Sequence, residues 1–420
     1  MYTNKTFLAC AVALSLSSVA TFTQAAGFQL AEYSATGLGR AYAGEAAIAD
    51  NASAQWRNPA LLTYLSGTQI SSGAIYVNPN IDVNGTVTRN GQSTHAMSTD
   101  FAHDAVIPNF YLSHQINDQV VLGFALGTNY GMETDLGTEF AAAHFGNQAS
   151  VISKELNLNI AYQIQPQLSI GAGVRYVIGE GHFGAIAPPQ LTSIAGTTLK
   201  YMEGEDTAWG WQVGSVWQVN SNHRLGLAYK SAVVMDFDGH AKGISYGEYK
   251  PGMMSLTLPA TAELASFHQL NQQWAIHASF NWTDWSSFKE LTAVFPEKSD
   301  LIKQENWRDN YRLALGTTYQ YDPKLALRAG VAYDSAAVND KNRTATIPET
   351  DRTWLSLGAS YAATPQLTLD AGFTYILAKD ATIDEPRDPS DYLATLIGGA
   401  FTGGISGNVW LIGVQANYRF

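Results

Sequence analysis

From about Thr68 to the last residue, Phe420, one unit recurs along the chain: about ten residues of alternating apolar and polar character, then a turn. The closing stretch shows it most clearly. Trp410, Ile412, Val414, Ala416, Tyr418 and Phe420 fall on one face, and Gly413, Gln415, Asn417 and Arg419 on the other. The same alternation runs through residues 168–176, 274–283 and 367–375. Such strands have one greasy face and one polar face. In a soluble sandwich the greasy face is the core and the outer faces carry charge, yet only 14% of the residues are charged, against about a quarter in an average soluble protein. In a membrane barrel the greasy face meets lipid and the Gly/Ser/Asn face meets the lumen, while Tyr and Trp near strand ends form interfacial girdles. The alternation therefore predicts an all-β transmembrane barrel.

Connection lengths point the same way. Tight turn signals stand at 116–119, 165–167, 220–222, 270–272, 321–323 and 363–365. Between them lie long connections near 78–105, 131–153, 180–207, 235–253, 286–308, 334–350 and 379–407. Brief periplasmic turns alternating with extended external loops are the pattern of a bacterial outer-membrane barrel, and the segments number about fourteen, an even count. A helical membrane bundle is excluded, because mean hydropathy is -0.09 and no uncharged apolar run of about 18 residues follows the amino terminus. Aromatic residues at 11%, and Gly without a period of three, exclude disordered and collagen-like chains.

Residues 1–25 carry Lys5, an apolar stretch from Phe7 to Ala20 and the small-residue exit Thr23-Gln24-Ala25, the form of a secretory signal peptide. Cleavage at Cys10, as in a lipoprotein, would sacrifice the apolar region. After removal of residues 1–25 no Cys remains, and the formal net charge moves from -12 to -13 because Lys5 is the one charge lost. Disulfides and thiol chemistry are then excluded. The acidic balance and the lack of Lys/Arg clusters exclude nucleic acid as a main partner. Residues 26–67 break the strand pattern: they are rich in Ala and Gly, with short helices expected around Ala41 to Asp50 and a turn at Asn58-Pro59. A fourteen-strand barrel is too wide for side chains alone to fill. This segment is the expected plug, or hatch, and residues 68–420 the barrel.

Three groups of residues resemble the mature amino terminus of the FadL family of outer-membrane transporters of long-chain fatty acids and hydrophobic compounds. They are Ala26-Gly27-Phe28-Gln29-Leu30, Gly37-Leu38-Gly39-Arg40-Ala41-Tyr42 and Arg57-Asn58-Pro59-Ala60-Leu61. Asn129-Tyr130-Gly131, residues 309–316, Ile347-Pro348 and residues 351–355 extend the resemblance along the chain in order. It implies a fourteen-strand barrel closed by a hatch, with substrate leaving sideways through a gap made by an inward kink of the third strand. By the same pattern Asn58, Pro59 and Ala60 belong in the hatch beside that kink, and Asn129, Tyr130 and Gly131 at the strand's outer end.

A fatty acid needs a dry channel for its tail, at about 0.8 kcal/mol per buried methylene, and a cation or several donors for its carboxylate. Lys303 aligns with a basic position that the family uses near the head group, and Arg308 and Arg312 follow it. A second basic position is taken by His182 or by no base, which leaves room for a less charged substrate such as an aromatic hydrocarbon. In the last long connection, Leu393, Leu396, Ile397 and Phe401 form an apolar stretch suited to loop packing or to capturing hydrophobes. Gly179 to Gly184 matches a dinucleotide fingerprint, but Pro188-Pro189 stands where its helix would run. With no G-x-S-x-G, no H-E-x-x-H and scattered His, neither enzyme, cofactor nor metal is expected. Expected partners are the hydrophobic substrate and outer-membrane lipid and lipopolysaccharide, with the chain as a monomer. A general porin, or a surface adhesin or phage receptor, would be the rival uses of the same barrel.

Overall fold

The computed structural model describes residues 27–386 and 398–420. Among them, 21 strand segments join in one sheet. The wall strands in chain order are β1 (Thr68–Arg89), β2 (Ala105–Gln115), β3 (Val120–Gly127, then Gly131–Asp135), β4 (Gln148–Gln165), β5 (Leu168–Ile186), β6 (Thr198–Asn220), β7 (His223–Lys230, then Val233–Gly243), β8 (Gly247–Leu258, then Thr261–Gln269), β9 (Trp274–Thr283), β10 (Asn310–Gln320), β11 (Leu325–Asp334), β12 (Arg352–Ala362), β13 (Leu367–Ala378) and β14 (Ala400–Arg419). β1 pairs antiparallel with β14, from Gln69 opposite Arg419 to Thr88 opposite Ala400. The sheet thus closes into a barrel of 14 strands. Closure removes the sheet edges and pairs the backbone where no water is available.

The alternation falls where the sequence places it. Leu158, Ile160 and Tyr162 on β4, Leu313 and Leu315 on β10, and Ile412 and Val414 on β14 are exposed apolar side chains on the outer wall. Asn157, Asn159 and Gln415 between them are buried on the inner side. Several of the tight turns share one device: a side-chain oxygen accepts from the backbone N–H groups two and three residues on. Asn117 accepts from Gln119 and Val120, Asn220 from Asn222 and His223, Asn271 from Gln273 and Trp274, and Asp322 from Lys324 and Leu325. The long connections are mostly not loops. Strands β5 and β6 run through much of 180–207, and β7 and β8 through nearly all of 235–253.

Residues 27–67 form no wall strand and are largely buried. They build one helical turn, Ala35–Leu38, and three 3-10 turns, Glu45–Ala47, Ala52–Trp56 and Pro59–Tyr64. Wall residues all round the barrel hold them. Gln415 of β14 accepts from Ala35 N at 3.1 Å, Glu263 of β8 from Ala46 N at 3.1 Å, and the Leu112 carbonyl of β2 from Gln55 at 3.0 Å, while Arg312 of β10 donates to the Ala41 carbonyl at 2.9 Å. Contact is close enough to require wall glycines. A Cβ on Gly171 of β5 would run into the Pro59–Ala60 backbone, and one on Gly330 of β11 into the Arg40 backbone.

Candidate functional site

β3 is interrupted at Thr128, Asn129 and Tyr130. Against β4, Gly127 faces Glu155 and Gly131 faces Ile152, so three residues of β3 stand opposite two of β4. Against β2, pairing stops at Phe110 opposite Leu126, although β2 continues to Ala105. An isolated bridge between Ala102 and Thr134 resumes contact farther out. The wall therefore has an opening between β2 and β3. Asn109 on β2 and Asn129 on β3 are buried there, and the side-chain amide nitrogen of each lacks a hydrogen-bond partner.

The leading segment docks onto this break. Leu30 N donates to the Asn129 carbonyl at 2.8 Å, Gly131 N donates to the Phe28 carbonyl at 2.8 Å, and Gln29 lies opposite Tyr130. Gly27, at φ 62°, turns the chain beneath Trp285 and Trp307. Phe28 enters an aromatic cage, with its ring centroid 4.5 Å from Trp285, 6.0 Å from Phe288 and 6.1 Å from both Tyr130 and Trp307. Met132, Val177, Val233, Met235, Leu256 and Leu258 complete a buried apolar cluster. Full burial of such a ring contributes about 1.5–3 kcal/mol. The segment holding Phe28 thus fills an apolar chamber with its own ring and borders the break in the wall at once.

Lys303 lies beside this chamber. It is the cross-strand partner of Leu291, which packs against the cluster. Its Nζ is 2.9 Å from the Asn342 carbonyl and 3.6 Å from Glu305 Oε2. Glu305 is buried, accepts from Trp307 Nε1 at 2.9 Å, and has its other carboxylate oxygen unpartnered. Burial pushes its pKa above the usual carboxylate range despite the opposing charge of Lys303. Arg308 is exposed and donates to the Ala336 carbonyl at 3.1 Å, tying two connections together. Arg312 is buried lower in the lumen, 4.8 Å from the Trp354 ring centroid. His182 stacks on Tyr201, on the face of β5 opposite Phe183, and it is Phe183 that packs against the chamber. Of the four basic candidates the structure brings Lys303 alone to the chamber.

Asn58, Pro59 and Ala60 meet β5 and β6. Asn58 caps the Pro59–Tyr64 turn and donates to the Ala46 carbonyl at 2.7 Å and the Ser215 carbonyl of β6 at 3.1 Å. Pro59 and Ala60 rest on Gly171 of β5. The residues that meet the broken β3 include Phe28 to Leu30, Gln55 and Leu62 against Gly123, and Trp56 against Gly127. The Asn-Pro turn anchors the segment on β5 and β6 where wall glycines leave room, and its Leu62 reaches β3. Phe401 lies on β14, fully buried, with its ring 5.7 Å from Phe140 at the barrel mouth. Ala26, Leu393, Leu396 and Ile397 lie outside the described residues.

Several features escaped the sequence reading. Arg175 on β5 forms a bidentate pair with Glu155 on β4 at 2.9 and 2.7 Å, and Lys230 on β7 stands 3.8 Å from the same carboxylate and 4.3 Å from the Trp56 ring centroid. Removing one member of so buried a group costs about 3–5 kcal/mol. The lumen-side alternation was the available signal. In the leading segment, Glu32 is buried with one oxygen unpartnered, and burial raises its pKa to about 7 against the opposing charges of Arg352 and Arg312. A cavity of about 630 Å³ also opens at the short-turn end, lined by Asp50, Gln269, Gln273 and Gln320 together with Ile48 and Phe267.

Residues 16–420 match the model of the outer membrane protein transport family that includes OMPP1, FadL and TodX. The chain belongs to the FadL family. The long-chain fatty acid transport protein of Escherichia coli O6:H1 is 34% identical over 456 residues, covering 99% of each chain. Outer membrane protein P1 of Haemophilus influenzae is 36% identical over 460 residues, again covering 99% of each. Among solved structures, a FadL homologue from Pseudomonas aeruginosa superposes with a TM-score of 0.85 at 22% identity, covering 94% of this chain and 100% of that one. The toluene transporter TodX of Pseudomonas putida gives 0.69 at 17% identity, with the same coverage. As a FadL-family barrel, the protein resides in the bacterial outer membrane and serves transport.

Proposed function

We propose that this FadL-family protein takes up long-chain fatty acids passively, holding the tail in the chamber beside Lys303 and releasing it sideways between β2 and β3 into the bilayer. One observation carries the reading: Phe28 to Leu30 both fill the chamber and hydrogen-bond to β3 at its interruption, Leu30 to Asn129 and Phe28 to Gly131. A short shift of this segment joins chamber and wall opening. Sideways release keeps the tail out of periplasmic water, which would remove its apolar contacts. The names of the relatives from Escherichia coli and Haemophilus influenzae agree with an outer-membrane lipid transporter. On this reading residues 26–67 act as a hatch, and the protein works as a monomer in contact with lipid and lipopolysaccharide, without an enzymatic step.

Lys303 gives the test. Replacing it by Gln is expected to weaken binding of labelled oleate to the purified protein about tenfold, close to 1.4 kcal/mol, and to leave oleyl alcohol binding as in the native protein. Equal binding of oleate by both proteins would remove Lys303 from the head-group site. A second reading, uptake of aromatic hydrocarbons, is favoured by the cage around Phe28 and by the Lys303–Glu305 pair, which already partly neutralises the cation. Competition of toluene against oleate for the native protein decides between them.

A further inference from the structure

Below Phe28 lies a second small space, about 30 Å³, bounded by Gln29, Leu30, Arg57, Arg312, Asp334 and Trp354 among its lining residues. That volume holds about one water and is far too small for an acyl tail. Its chemistry is cationic and unfinished. Arg312 is 6% exposed, its Nε has no partner, and no carboxylate among the described residues comes within ion-pair distance of it. Its guanidinium is held by the Ala41 carbonyl and the face of Trp354. Arg57 Nε also lacks a hydrogen-bond partner, with Glu263 at 3.8 Å. Of the nearby carboxylates, Glu32 keeps one oxygen unpartnered and lies outside ion-pair distance of Arg312, and the others are already engaged. Asp334 accepts from Asn310 at 3.0 Å and pairs with Arg352 at 3.2 Å, while Glu263 accepts from Ala46 N at 3.1 Å and from Asn281 at 2.9 Å. A buried guanidinium with an unpaired N–H carries a desolvation cost that an arriving anion would offset.

We propose that Arg57 and Arg312 form a second, internal anion site that takes the substrate's carboxylate after it leaves Lys303, an inference that rests on the uptake reading above. Gln29 and Leu30 wall this space and also belong to the segment that fills the chamber, so one displacement opens both. The carboxylate then has a cation inside the lumen, between the leading segment and the wall from β8 to β12, while the tail enters the gap between β2 and β3. A neutral substrate has no need of the site.

The test uses cells carrying the full-length chain, equal amounts of heat-modifiable folded barrel, and labelled oleate and oleyl alcohol as probes. Arg312→Gln and Arg57→Gln are expected to lower oleate uptake about tenfold relative to oleyl alcohol uptake, with oleate binding to the purified variants close to native. Arg312→Lys should recover part of the oleate uptake. Equal loss of both probes would assign the arginines a structural role, and unchanged oleate uptake would remove the site; either overturns the proposal. Native protein that takes up neither probe would overturn the uptake reading itself.

Discussion

Oleate uptake is expected to fall to background when Gln29 and Tyr130 are both replaced by Cys and oxidised, and to return when the disulfide is reduced. These residues are directly opposed across an isolated antiparallel bridge, which places their α-carbons at about the separation a disulfide spans. The mature chain contributes no competing thiol if residues 1–25 are removed, because Cys10 is the single Cys. The cross-link fixes the leading segment to the broken strand, and the chamber then stays closed to the wall gap. Comparing oxidised and reduced forms of one variant cancels any effect of losing the Tyr130 side chain. Uptake that is unchanged by oxidation, with the cross-link verified by mass, would mean that this segment does not move during transport.

Gly171→Val should produce the opposite defect, a leak. The new side chain cannot coexist with the Pro59–Ala60 backbone, so the Pro59–Tyr64 turn must leave the wall and Asn58 must release the Ser215 carbonyl. The barrel itself is expected to survive, since the β1–β14 ladder that closes it uses no residue of 27–67. In planar bilayers the variant is expected to conduct ions steadily, about tenfold or more above the native protein, because a fourteen-strand lumen without its filler is an aqueous bore. Native-level conductance from a folded variant would show that residues 27–67 do not seal the barrel.

Much of this architecture was legible in residue order, for a physical reason. Lipid on one side and lumen on the other impose a period of two, which survives from β1 to β14 and marks each tight turn. The same logic misplaced strand ends. Where strands rise above the membrane, the outward positions become polar, as at Glu180, Glu203 and Asp238, and the hydrophobic contrast fades while the ladder continues. These stretches therefore read as loops. The interruption of β3 leaves no periodic trace either, because one extra residue opposite β4 looks like any other turn; family resemblance alone announced a kink. The aromatic cage was hidden for a similar reason. Trp285, Phe288 and Trp307 lie in a connection that lacks alternation, and their role appears only once Phe28 is brought among them. The position of Asn58 rested on family resemblance, since sequence order says nothing about which wall glycine accepts the turn.

The most direct measurement is oleate uptake by a chain with Asn129 deleted. Removing one residue leaves two of β3 opposite two of β4, which allows Gly127 to Gly131 to run as continuous ladder and to pair with β2 through Asn109. A folded, non-conducting barrel that no longer admits labelled oleate, while still binding it when purified, is the predicted result. Normal uptake through such a seamless wall would contradict sideways release.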